Sequence, residues 1–338
     1  MRSQIKKRSN LRDVATRSGV SVATVSRVLN TPDKVAAKTR TRVEQAITDL
    51  KFVPSAAARA MNRGNSGMVA ALLPTLDNAI YARVVNGLEA RFREDGLSLI
   101  VAQTSDAPDV ELACAKQMIE LGAEALVVVG ISHDPGLYDL INLTQRPVVA
   151  VSYFDAASSI PTIGYDNWQA ATVAARHFAE LGHRRVGVLH GPTANNDRTR
   201  RRCEALRVQD FGIDFTFVEV DLSMAGGRDG LDRLLHTHPE ITGVLCFSDV
   251  IAHGALHRAN ALALHVPDDL SIMGIENLPS SQFTYPQLTS VRLSVERMGV
   301  LAAEAILSWL QTEQRPRSVE LPVELMPLGS TAPLSQKS

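Results

Sequence analysis

"LRDVATRSGVSVATVSRVLN", residues 11–30, holds two short apolar patterns on either side of a glycine. Leu11, Val14 and Ala15 are spaced as the buried stripe of one helix, and Val25, Val28 and Leu29 as that of a second. Gly19 suits the left-handed residue that ends a helix, and Ser21 is a favoured N-cap for the next. Val20 before that cap and Val25 inside the helix predict a hydrophobic staple, which sets the angle at which the chain enters the second helix. Val22, Ala23, Ser26, Arg27 and Asn30 are left on another face, without an acid among them. Helix, tight turn, helix is the arrangement of DNA readers whose second helix enters a major groove, and equally that of a plain helical hairpin.

Charge separates the two readings. Residues 1–65 carry 14 basic and four acidic side chains, whereas the remaining 273 carry 21 basic and 32 acidic ones, so a net charge of −1 hides a basic head on an acidic body. The excess coincides with the two-helix unit, as phosphate neutralisation with counterion release requires.

With 338 residues, 45% of them hydrophobic, two or three domains with real cores are expected. No apolar run reaches the ~20 residues of a membrane span, and no h-region follows the basic start, which predicts a cytoplasmic protein without a membrane partner. Cys114, Cys203 and Cys246 are far apart with no CxxC pair, which indicates neither a disulfide framework nor a zinc site. No metal and no cofactor are expected.

Val43, Ala46, Ile47 and Leu50 predict a third helix that closes a three-helix core. "FVPSAAARAMNRGNSG", residues 52–67, then offers Pro54 as a stop, Ser55 as a cap and an alanine-rich segment ending at Met61. A helix of under two turns is marginal in water, so this segment is expected to fray until something packs on it.

From residue 67 apolar runs alternate with helical patterns. Strands are expected at 68–74, 97–102, 125–130, 147–152, 161–165, 185–191, 215–220, 243–248 and 270–275, and helices over 80–94, 109–121, 168–181, 200–209, 227–237, 250–263 and 294–311. This βαβ rhythm predicts parallel sheets covered by helices on both faces. Some nine strands exceed one comfortable core, so two sheets with a cleft between them are expected. Ligands of such sheets bind beyond the carboxyl ends of the strands. The loops there, 75–82, 152–155, 191–202, 248–252 and 276–281, are rich in hydroxyls, amides, carboxylates and arginine, with Tyr81 and Tyr153 available to stack. That mixture suits a small polyhydroxylated or anionic molecule. Enzyme signatures are missing: no GxGxxG follows the first strand, and the chain has no GxxxxGK[ST], no GxSxG and no HExxH.

The chain resembles bacterial transcriptional regulators of the lactose-repressor/galactose-repressor family nearly end to end. "LRDVATRSGVSVATVSRVLN" and "TRTRVEQAITDLKFVPSAAARAM" carry most of the likeness, with "ELGHRRVGVLHGP" (180–192), "ALALHVPDDLSIMGIEN" (261–277) and "YPQLTSVRLSVERMG" (285–299) adding to it. The resemblance implies an α/β protein with an all-α head: a helix-turn-helix DNA-binding domain over residues 1–53, a hinge helix and linker over 54–66, and a two-lobed core similar to periplasmic binding proteins. One lobe would hold 67–162 and 292–318 and the other 163–291 and 319–334, the chain crossing near residues 162, 291 and 318.

The resemblance also assigns roles. Val22, Ala23 and Arg27 would read base edges, Arg27 by pairing with guanine, while Ser21, Thr24, Ser26 and Asn30 would position the head on phosphates. Ser55 would begin the hinge helix and Met61, where leucine is usual, would wedge into the minor groove. Ala36 stands where a serine often caps the third helix, and Lys51 where glycine is common. Ile80, Tyr81, Ser152, Arg202, Ser248 and Glu276 would hold the effector, with Asp77, Asn78 and Arg198 as further possibilities; a salt-bridged surface arginine is the competing reading for Arg198. Aspartate is frequent in the family at the positions of Ser152 and Glu276, so a known member's ligand does not transfer. The expected partners are a pseudo-palindromic operator, a second copy in a homodimer, and a sugar, sugar acid or sugar phosphate as effector. The alternative is a cytoplasmic sugar- or nucleoside-processing enzyme with an incidental basic head.

Overall fold

A computed structural model describes residues 9–53 and 65–334; the expected hinge positions Ser55 and Met61 lie outside the described residues. By internal contacts the chain divides into two units, Met1–Gly67 and Met68–Ser338.

In the first unit, helices α1 (Leu11–Ser18), α2 (Val22–Asn30) and α3 (Ala37–Asp49) enclose Val14, Val25, Val28, Val43 and Ala46, with Phe52 closing the core. Asn10 and Asp13 form a reciprocal capping box at the start of α1. Gly19 ends α1 with φ 66°, and Val20 packs into the same cluster as Val25, as the staple requires. After α3 the Lys51 amide bonds the Thr48 carbonyl (3.1 Å) and the Phe52 amide the Ile47 carbonyl (2.9 Å), while Lys51 sits at φ 47°. This is a Schellman ending with lysine in the glycine position.

The two departures in the head have different energetic consequences. Ala36 is the N-cap of α3 and supplies no side-chain bond. Ala36→Ser is therefore expected to stabilise the head by ~0.5–2 kcal/mol, read as slower amide exchange at Val43 and Ala46 in the full chain. Lys51→Gly relieves a left-handed residue, worth ~1–2 kcal/mol, but adds ~0.4–1 kcal/mol of unfolded-state entropy, so its gain is smaller.

The second unit is built on two six-stranded sheets. The first contains β1 (Met68–Leu73), β2 (Ser98–Gln103), β3 (Ala125–Val129), β4 (Val148–Val151), β5 (Thr162–Gly164) and β11 (Val319–Glu320), in the order β11-β5-β4-β3-β1-β2. The second contains β6 (Arg185–His190), β7 (Asp214–Glu219), β8 (Gly243–Cys246), β9 (Ser271–Glu276), β10 (Thr289–Leu293) and β12 (Val323–Met326), in the order β12-β10-β9-β8-β6-β7. All neighbours pair in parallel except β10 and β12. Alternation along β1 sends Val69, Ala71 and Leu73 into one core and Ala70 and Leu72 into another, so both faces are covered.

All nine expected strands are present. Beyond them the fold has β10, β11 and β12 and a helix over Pro135–Thr144. β11 has two residues, and β12 is only partly buried, so neither carries an apolar run of its own. Sheet membership places the three crossings slightly later than expected, after Gly164, after Leu293 and after Glu320, because β5 and β11 stay with the first sheet and β10 with the second. Among the described residues no helix is long and apolar enough to cross a membrane.

Candidate functional site

In the head, the first turn of α2 is tied by Ser21, whose Oγ accepts from the Thr24 amide (3.1 Å) and lies 2.9 Å from Thr24 Oγ1. Val25 and Val28 are buried beneath, while Val22 is 41% exposed and Ala23 and Arg27 lie open to solvent; Ser26 is half-buried. No acid occupies the first turn, so the positive end of the helix is not neutralised from within. Arg17 is engaged by Asp49 at 2.9 Å, whereas Arg27 has no carboxylate within ion-pair distance among the described residues. The face from Val22 to Arg27 therefore presents two small apolar side chains and one available guanidinium, with Asn30 as the last residue of the helix.

In the second unit, loops from both sheets converge on a cavity of about 410 Å³, its open mouth included. Ile80, Tyr81, Ser152, Arg202, Ser248 and Glu276 all line it, and all are buried. Asn78 and Arg198 line it too, but Asp77 is exposed and outside it, and Tyr153 is not part of its wall. The wall also includes Tyr165, Phe247, Leu222, Asn196 and Thr199, which the sequence reading did not select. Only the Asn196-x-x-Thr199 spacing of an N-cap was legible; the two rings are contributed by residues that read as ordinary core.

The polar character of these loops has a local cause. Asn78, Asn196 and Ser248 are N-caps, accepting from the amides of Ile80 (3.2 Å), Thr199 (3.0 Å) and Val250 (3.3 Å). The helices starting at Ala79, Asp197 and Asp249 thus begin at the cavity with their positive ends. Ser152 and Glu276 leave their strands with φ 69° and 127°, sparsely populated values for side-chain-bearing residues. Among the described residues Ser152 Oγ has no hydrogen-bond partner of normal geometry although the residue is 3% exposed, and the Tyr165 hydroxyl lies beside it.

Arg202 donates from Nε to Asn167 Oδ1 (2.9 Å) and from Nη1 to the Phe247 carbonyl (2.7 Å). Its Nη2 makes no hydrogen bond among the described residues. Arg198 is salt-bridged, as its competing reading holds, but it is buried rather than on the surface: it reaches Asp197 Oδ1 at 3.0 Å and Asp106 Oδ1 at 2.8 Å. Glu276 accepts from Ser248 Oγ (3.0 Å). Burial, reinforced by the nearby Asp249 carboxylate, pushes the Glu276 carboxyl up to about 8, against the opposing pull of Arg202. At neutral pH burial therefore favours the protonated form of Glu276.

Between the ordinary carboxylate range and about 8 the folded state binds a proton that the unfolded chain has released, so stability falls as pH rises through that window. Thermal melting of the core is expected to drop from pH 5 to pH 8, and Glu276→Gln, which cannot ionise, is expected to flatten that slope. A wild-type slope retained in the variant would assign the proton to another group.

Comparison with known proteins agrees with this geometry. A family description for bacterial regulatory proteins, lacI family, matches residues 10–55, and one for a periplasmic binding protein-like domain matches residues 175–331. The chain is 29% identical to the HTH-type transcriptional regulator GntR of Escherichia coli (strain K12) over 328 residues, 96% of this chain and 99% of that one. It is also 29% identical to the HTH-type transcriptional repressor CytR of the same strain over 333 residues, 96% of this chain and 97% of that one. A crystal structure of the lac repressor dimer bound to operator and the anti-inducer ONPF shares the fold, with a TM-score of 0.83, 23% identity, and coverage of 96% of this chain and 100% of that chain.

Proposed function

We propose that the chain is a member of the lacI family of bacterial regulatory proteins, a cytoplasmic repressor whose grip on a pseudo-palindromic operator is set by a sugar, sugar acid or sugar phosphate in the core cavity. It is a DNA-binding transcriptional regulator and not an enzyme, in keeping with its relatives.

The observation that carries the proposal is the combination, in one cavity, of a buried serine hydroxyl without a regular partner and an arginine with an uncommitted Nη2. Buried polar groups of that kind are costly unless a ligand completes them. Hydroxyls of a sugar-like molecule fit Ser152, Asn78 and Asn196, an acidic group fits Arg202, and the Tyr165 and Phe247 rings supply apolar walls. On DNA, two heads related by a two-fold axis would each lay α2 in a major groove, with Val22 and Ala23 against base edges and Arg27 on guanine. The effector would act by favouring one arrangement of the lobes, which changes the spacing of the two hinge segments.

Fluorescence anisotropy with the DNA upstream of its own gene, at two salt concentrations, tests the DNA half. Tight binding that weakens steeply with salt is expected, and equal affinity for random DNA of the same length would refute it. A thermal-shift screen of sugars, sugar acids and sugar phosphates tests the other half, because a ligand that binds only the folded state raises the melting temperature.

A further inference from the structure

Asp197 and Arg198 open the helix Asp197–Val208 of the second sheet, yet their side chains are satisfied by the first. Asp197 Oδ2 accepts from the Ile131 and Ser132 amides (2.5 and 2.8 Å), in the loop after β3. Its Oδ1 accepts from Arg198 Nη1, and Arg198 Nη2 donates to Asp106 Oδ1, in the loop after β2. Arg200 Nη2 adds a bond to Ser132 Oγ (2.9 Å). The Asp197 and Arg198 side chains are only 5% and 7% exposed. Gly130, at φ 81°, makes room for them: a Cβ there would lie 2.6 Å from both Asp197 carboxylate oxygens.

This cluster differs from the rest of the cavity lining. Both Asp197 oxygens and both Arg198 terminal nitrogens already have protein partners, and Asp197 Oδ2 and Arg198 Nη2 find theirs across the cleft. Charge-assisted bonds out of water are individually stronger than neutral ones, and here four of them join one lip of the cleft to the other, with the Asp197–Arg198 bond bracing the pair within its own lobe. We propose that Asp197 and Arg198 form a latch that holds the two lobes closed with no small molecule bound, so that the cavity must break this latch to load or to empty. The latch does not depend on what the cavity binds, and its test needs no ligand.

Pro108 and Asn195 line a common small void at this lip, and their exposed neighbours Asp109 and Ala194 are positions for a contact reporter. In full-length protein with the half-buried Cys114 replaced by serine, a bimane on Asp109→Cys and a tryptophan at Ala194→Trp will report lip contact through short-range quenching. Strong quenching is expected in the ligand-free protein, with much of it lost in Asp197→Asn and in Arg198→Gln, and retained in Arg201→Ala, whose guanidinium stacks on Trp168 within its own lobe. If a latch variant loses its far-UV circular dichroism, Asp106→Asn, at a half-buried position, decides in its place. Ligand-free protein without quenching, or latch variants quenched as fully as the parent, would overturn the proposal.

Discussion

Arg202→Ala is expected to lower effector affinity by at least tenfold while leaving operator binding in the absence of effector intact. The guanidinium is 6% exposed and already oriented by Asn167 and the Phe247 carbonyl, so it meets a ligand without reorganising, and its Nη2 is left for that ligand. Hydrogen bonds to charged groups contribute ~1.5–3 kcal/mol, and ~1.4 kcal/mol is a factor of ten in affinity. The same substitution strands Asn167 Oδ1 and the Phe247 carbonyl in the interior, at ~1–3 kcal/mol each, so a lower melting temperature is expected too. Arg202→Lys separates the two effects: it keeps the charge but loses the planar fork, so affinity should fall more than stability. Calorimetric titration of each variant with a ligand found by thermal shift is the measurement. Full affinity in Arg202→Ala would remove it from the site and move the recognition to Tyr81, Ser248 and Glu276. In a cell, an inducible repressor carrying this change should stay bound to its operator whatever the effector level.

Arg27→Ala is expected to weaken operator binding by ~1–3 kcal/mol, the worth of a bidentate base contact, and to affect non-specific DNA far less. Arg27 is exposed on the open face of α2 and has no carboxylate partner among the described residues, so its removal leaves the Val14, Val25 and Val43 core untouched. Anisotropy titrations against operator and random duplexes at one salt concentration compare the two losses. Equal losses, with the salt slope reduced by about one, would make Arg27 a phosphate contact instead.

Glu276 and Arg198 mark the boundary between what one-dimensional reading reaches and what it does not. Glu276 was legible as a strand-end acid in a candidate binding loop. That it keeps its proton at neutral pH depends on Asp249 and on burial by residues far away in the chain. Arg198 was legible as a second arginine one turn from Arg202, with a salt bridge as its alternative role. Its partners Asp106 and Asp197 are separated by 91 positions, and only the meeting of two sheets brings them to one guanidinium.

The three-helix head and the nine central strands were within reach of the amino-acid order because they rest on short-range causes, whereas the six cavity residues were named by the family resemblance and not by local pattern. N-caps, a left-handed glycine, apolar stripes and unbroken runs such as "ALVVV" act over a few residues and need no distant partner. The edge strands β11 and β12, the Tyr165 and Phe247 walls, the protonation of Glu276 and the closure by Asp197 and Arg198 were settled by the folded chain alone. Edge strands too short to hold themselves form only against a neighbour already in place, as β11 does on β5. The charge state and the bonding of a buried polar group are set by what desolvates it and what lies within about 3 Å of it, and both are properties of three-dimensional neighbours.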